Sequence, residues 1–139
     1  MNSKELFVRD TTVIKKSDNL FTAEVSDNWS IGNTANGGYS MTLAAKAMSE
    51  FLEHKDPLSI SAHYLDRVDF GATELHVTHL SSSKSLSTAR VELIQNNKIK
   101  IIFIGTFTDF SFKNDMNIYE RDVPSFPDYE SCEVIPYKE

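Results

Sequence analysis

The stretch Gly32-Asn33-Thr34-Ala35-Asn36-Gly37-Gly38-Tyr39 holds the residue types and spacing most suited to chemistry. Asn36 stands where a helix N-cap belongs, directly before two glycines and a run of helix-forming residues. Glycines leave the first N–H groups of such a helix unobstructed. Those groups can receive an anion or a polarised carbonyl oxygen. The backbone at Gly37, Gly38 and Tyr39 is therefore a candidate for polarising a carbonyl, with Gly38 and Tyr39 as its donors. Asn36 has two open readings: a carboxamide that holds a water or donates to the carbonyl, or a simple cap. The whole stretch also reads as an ordinary loop-to-helix junction.

Other reactive side chains are scattered. His76 and His79 have metal-like spacing, but residues three apart on a strand point to opposite faces and cannot share an ion. His63 lies on a strand beside the expected helix entrance, and its plainer reading is a satisfied or surface histidine. Glu50 and Asp27 read as solvated carboxylates. Cys132 has no basic neighbour in sequence, which disfavours a nucleophilic role. Ser81-Ser82-Ser83-Lys84-Ser85 reads as a polar hairpin turn. No metal and no cofactor is expected.

These residues need elements to position them. After the glycines comes Ser40-Met41-Thr42-Leu43-Ala44-Ala45-Lys46-Ala47-Met48-Ser49-Glu50-Phe51-Leu52. Apolar positions 44, 47, 48, 51 and 52 keep helical spacing, and Leu43 and Ala45 widen the stripe, so a largely buried helix is expected over about 37–53. Its alanines let strands approach closely. Pro57 stops a helix and makes Asp56 extended. Beyond it the period changes to two. Strands are expected at 58–65, 73–80, 86–95 and 99–109, with Leu75 and Val77, and then Ala89, Val91 and Leu93, facing one way. Asn96-Asn97 signals a hairpin. Ile101, Phe103 and Phe107 read as core or dimer packing. Upstream, Leu20 to Val25 alternates as a strand with Phe21, Ala23 and Val25 on one face. Residues 1–19 read as an entry segment with one helical turn or an edge strand. The expected organisation is one α+β domain over residues 1–110 and an extended, linker-like tail over 111–139, where three of the four prolines lie.

The totals agree with one small domain. A chain of 139 residues can bury roughly 68% of its unfolded surface. A single cysteine excludes a disulfide framework and makes a reducing, cytoplasmic setting the default. No run approaches a membrane span, and the N-terminus lacks the apolar core of a signal peptide. A net charge of −6 argues against nucleic acid or an anionic membrane as the main partner.

Four segments resemble the thioesterase-like superfamily, specifically the N-terminal hotdog of double-hotdog proteins of the acyl-CoA thioesterase II type. They are Trp29-Ser30-Ile31-Gly32 with Asn36-Gly37-Gly38-Tyr39; Leu58 to Leu65; Leu80 to Gln95; and Pro124-Ser125-Phe126-Pro127 to Cys132. The resemblance implies a hotdog fold, an antiparallel sheet wrapped around one long central helix. It implies binding, and hydrolysis, of acyl-CoA or another acyl thioester, and a homodimer or pairing with a second hotdog. It places Gly37, Trp29 and His63 near the substrate, and Ser83, Lys84 and Ser85 near its phosphate or pantetheine. It also locates what is missing. The turn's Gly-Arg is Ser83-Lys84 here. In acyl-CoA thioesterase II the catalytic Asp belongs to the second hotdog and would fall, by position in the repeat, near Ser59; single-hotdog thioesterases put an Asp or Glu about two turns into the helix, where Ala45 and Lys46 stand here. The alternative function is thus a non-catalytic half that binds acyl thioesters or stabilises a partner hotdog.

Overall fold

The computed structural model describes residues 2–112 and 120–133. Asn2 opens helix α1 (Ser3–Asp10) with a capping box: its side chain accepts from Glu5 N–H at 2.9 Å while Glu5 Oε2 accepts from Asn2 N–H at 3.0 Å. The chain then forms β1 (Ile14–Lys15), β2 (Leu20–Val25), the small hairpin β3 (Ser30–Ile31) and β4 (Thr34–Ala35), and helix α2 (Gly37–Phe51). Four longer strands follow: β5 (Asp56–Tyr64), β6 (Gly71–Ser82), β7 (Ser87–Gln95) and β8 (Lys98–Thr108).

Apart from the β3–β4 hairpin, the strands join one antiparallel sheet in the order β1-β2-β6-β7-β8-β5. α2 lies across its inner face and touches β2 and β5 through β8. The alternation expected from sequence sets that face: Phe21, Leu75, Ala89, Val91, Leu93 and Phe103 are fully buried. From the helix, Leu43, Ala44, Ala47 and Met48 meet them at 0% exposure. This is the hotdog arrangement. The helix can sit so close because small residues face it: a Cβ on Gly105 would lie 2.5 Å from Met48 Sδ and 3.1 Å from Phe107 Cε2. Asn96 and Asn97 take φ of 52° and 58°, the pair of positive values that a tight hairpin between twisted strands requires.

Some boundaries differ from the sequence reading. The entry segment carries both a two-turn helix and an edge strand. α2 ends at Phe51, and β5 starts at Asp56, so Pro57 lies inside a strand. That is tolerated because β5 is an edge and the register shifts between Pro57 and Ser59. Residues 120–133 are exposed and carry only a short turn at Tyr129–Ser131. The expected tail also spans 113–119 and 134–139, which lie outside the described residues.

Candidate functional site at the start of the central helix

The local sequence makes the start of α2 a junction of three segments. Asn36 is extended, and its Oδ1 accepts from Gly38 N–H at 2.8 Å and Tyr39 N–H at 3.3 Å. Its own N–H donates to the Trp29 carbonyl at 2.8 Å, tying the helix start to the preceding loop. The Asn36 side chain thus acts as a cap here. It occupies the two N–H groups marked out in sequence as carbonyl donors. Among the described residues, the Gly37 N–H has no hydrogen-bond partner.

The two glycines face different clefts. Gly38 lines one of about 340 Å³ with Phe7, Trp29, Asn36, Tyr39 and Thr42. Gly37 lines another of about 320 Å³ with Ser40, Tyr64, Asp66, Arg67 and Ile101. The Tyr64 ring rests directly on Gly37: a Cβ there would be 2.8 Å from Tyr64 Oη. Among the described residues the Tyr64 hydroxyl has no partner either, so this cleft is lined by two adjacent residues that each carry an uncommitted donor.

The Tyr39 side chain is structural. It is buried, its hydroxyl donates to the Asp10 carbonyl at 2.7 Å, and it accepts from Ser26 N–H at 3.1 Å. Burial pushes its phenol pKa up. Trp29 stacks on Tyr39 with centroids 6.3 Å apart and meets Phe7 edge-on at 5.0 Å. Trp29 Nε1 donates to Asp10 Oδ2 at 3.1 Å, as does Asn28 Nδ2 at 2.9 Å, while Arg9 Nε donates to Oδ1 at 2.7 Å. Burial alone would raise the Asp10 pKa, but hydrogen bonds from Asn28, Arg9, Ser26 and Trp29 win and hold it down at about 2.

Asp66 is the carboxylate that lines the Gly37 cleft. It receives Lys98 Nζ at 2.8 Å and Lys100 Nζ at 3.1 Å. Hydrogen bonds from those two lysines hold its carboxyl well below the usual range. It is therefore a weak base. Gln95 pins the same loop, accepting from Asp69 N–H at 2.9 Å and donating to the Asp69 carbonyl at 2.8 Å.

The remaining candidates lie elsewhere. His63 is exposed beside Ile102 on the sheet's outer face, because it alternates with Ala62 and Tyr64 along β5. Ser83, Lys84 and Ser85 form the exposed turn between β6 and β7. His54, just past the other end of α2, contacts this turn at the Lys84 carbonyl. The 15 residues of α2 separate the two ends by about 22 Å, so one chain does not bring turn and helix start together. His76 binds Glu74 and His79 binds Ser82. Among the described residues, no group of three His, Cys, Asp or Glu is placed to hold a metal ion. No helix among them is long and apolar enough to cross a membrane. Cys132 is exposed.

Sequence reasoning missed Asp10, Tyr64, Asp66, His54 and Ser87 as site-forming residues. A signal existed for one: Ser87 is in phase with Ala89, Val91 and Leu93, so it had to be buried and partnered. Little local marks Asp10: beyond its neighbour Arg9, its side-chain partners are 18 and 19 residues away.

Comparison with known proteins identifies the arrangement. The family model described as acyl-CoA thioesterase N-terminal domain matches residues 25–109. A protein of Thermobifida fusca YX assigned as a thioesterase II superposes with a TM-score of 0.80 at 21% identity, over 91% of this chain and 47% of that one. A tesB protein of Mycobacterium avium subspecies paratuberculosis gives 0.78 at 20% identity, over 94% and 50%. A hot dog fold protein of unknown function from Alicyclobacillus acidocaldarius gives 0.79 at 12% identity, over 90% and 47%. The chain spans about half the length of these three. The comparison with curated proteins gave no match.

Proposed function

The chain belongs to the family of acyl-CoA thioesterase N-terminal domains, and from that premise we propose that it binds acyl-CoA thioesters at the start of α2 and takes part in their hydrolysis. The observation that carries the reading is the pair of uncommitted donors, Gly37 N–H and Tyr64 Oη–H, in one cleft. A thioester carbonyl oxygen needs such a pair, and needs it more as negative charge grows on attack by water. The Asn36 cap shifts this role from Gly38 and Tyr39 to Gly37. Trp29 forms a wall of the neighbouring cleft, and His63, on the outer face, has no part. Between helix and sheet, Met48, Phe103 and Phe107 are fully buried, which disfavours that path for the acyl chain. It lies instead along the half-buried row of Met41 and Ala45 beside Ile60 and Ala62.

Hydrolysis also needs a base to take a proton from water, and Asp10 and Asp66, which flank the helix start, are both committed. The base therefore comes from a second hotdog paired along β5. A two-fold pairing of β5 runs the two α2 helices antiparallel. The helix start of one hotdog then faces the β6–β7 turn of the other. Lys84, with Ser83 and Ser85, receives the phosphorylated end of CoA there. The same committed carboxylates favour one alternative, a half that binds acyl-CoA without turning it over.

A panel of acyl-CoAs assayed for thiol release and for binding tests this reading. Release is expected, and Tyr64→Phe should lower it at least tenfold, equivalent to about 1.4 kcal/mol, with folding unchanged. Binding without release assigns the non-catalytic role. Neither binding nor release overturns the proposal.

A further inference from the structure

His54 follows α2 and is 8% exposed, although it is an ionisable residue with charged neighbours, Glu53 and Lys55, that are exposed. Both ring nitrogens are engaged. Nε2 lies 3.3 Å from the Lys84 carbonyl oxygen and Nδ1 lies 2.6 Å from Ser87 Oγ. A carbonyl only accepts, so Nε2 carries a proton towards Lys84; in the neutral ring Nδ1 then accepts from the Ser87 hydroxyl. Ser87 is fully buried, and Ser82 Oγ donates to it at 3.2 Å. His79 Nε2 stands 2.8 Å from Ser82 Oγ.

With Ser82 Oγ donating to Ser87 Oγ and Ser87 Oγ to Nδ1 of a neutral His54, the one ring N–H of His54 is free for the Lys84 backbone, and Ser82 Oγ is left to accept from His79 Nε2. Bonds aligned in one direction polarise and strengthen each other. A second anchor acts on the next residue, where Thr108 Oγ1 donates to the Ser85 carbonyl at 2.9 Å. The turn is thus fastened by its backbone from beneath. Among the described residues the Lys84 ammonium has no carboxylate within 4.0 Å.

We infer that His54 is a positioning residue for the thioester site: it holds the β6–β7 turn through the Lys84 carbonyl so that the Lys84 side chain is presented to the phosphorylated end of an acyl-CoA. The role rests on the proposed function, because only a phosphate-bearing substrate makes use of that cation. His54 touches no substrate. The turn is closed on itself by Ser83 N–H donating to the Leu86 carbonyl at 2.7 Å, but without His54 it loses one of the two side-chain bonds, from His54 and Thr108, that tie its backbone to the rest of the fold, and the cation spreads over more conformations.

Calorimetric titration with hexanoyl-CoA and with S-hexanoyl-pantetheine, which lacks the nucleotide phosphates, separates this role from a structural one. His54→Leu should weaken binding of hexanoyl-CoA roughly fivefold and leave S-hexanoyl-pantetheine unchanged. Ser87→Ala, a milder change, should act in the same direction. His54→Gln keeps one donor and one acceptor and should restore most of the affinity. Equal loss for both probes, or no loss for either, overturns the inference. Amide hydrogen exchange over Ser83–Ser87 gives a readout independent of ligand. It should quicken in His54→Leu, and unchanged exchange would show that His54 does not hold the turn. Binding of neither probe by the wild-type chain would overturn the proposed function, and the presentation of Lys84 with it.

Discussion

Asp10 shows how one buried side chain can organise a site that it does not enter. Its carboxylate collects donors from Arg9, Asn28 and Trp29, and its carbonyl takes the Tyr39 hydroxyl. Those bonds fix the loop that delivers Asn36 to the head of α2. Asp10→Asn should destabilise the fold by about 2 kcal/mol, because a neutral amide must place an N–H against donors that need an acceptor. The pH dependence has a definite sign. The folded pKa is about 2, below the ordinary 3.8. The carboxylate's contribution is therefore present above the ordinary value and is lost as pH falls through the folded one. Denaturant titrations should give the full difference between wild type and Asp10→Asn at pH 7, shrinking from about pH 4 towards pH 2. A gap independent of pH would assign the loss to shape rather than charge. None of this was legible in sequence, because Asp10 ends a short polar helix and its partners arrive from a distant loop. The glycine pair was legible as a helix entrance. Which N–H groups stay free depends on the Asn36 rotamer, which spacing does not specify.

At the scale of elements, period decided what could be read. β7 alternates without a break, buried at Ser87, Ala89, Val91, Leu93 and Gln95. The three apolar members were readable as a core face. The two polar ones in the same phase are the anchors at either end, Ser87 for the β6–β7 turn and Gln95 for the loop after β5. A polar residue on the buried phase of a strand is thus a pointer to a loop that must be held. The other close fit is between α2 and β8. Ala44 and Ala47 were recognisable as contact residues, but the opening for Met48 is made by Gly105, whose partner cannot be known without the fold. Gly105→Ala would drive a methyl against Met48 Sδ and the Phe107 ring. It should cost about 1–3 kcal/mol by chemical denaturation, since Met48 can shift and the buried ring cannot easily do so. In a double-mutant cycle with Met48→Ala the two losses should fall short of additivity, because the second change makes room for the first. Simple additivity would place the strain elsewhere.

The whole molecule has two unlike sheet edges, and the difference predicts how it assembles. Among the described residues, beyond β2 lies only β1, two residues long, an edge too short to recruit another strand. The opposite edge is β5, nine residues with no strand beside it among the described residues. Leu58 and Tyr64 on that strand are more than half exposed, and α2, with Met41 and Ala45 only partly buried, packs against it. A long, open, partly apolar edge is normally covered, and pairing with a like strand covers it most simply. The purified chain is therefore expected to be a dimer or larger at micromolar concentration by light scattering. Full-length antiparallel pairing of β5 with its own copy centres on Ile60, which would bring its two copies close to the symmetry axis. Ile60→Asp should then place like charges together and shift the chain towards monomer. Added salt should restore part of the association, since screening weakens that repulsion over about 8 Å at physiological ionic strength. Circular dichroism must show the variant folded for the result to count. A folded wild-type monomer would mean that the edge awaits a different hotdog. An Ile60→Asp variant as dimeric as the wild type would move the interface away from β5, and with it the place proposed for a base.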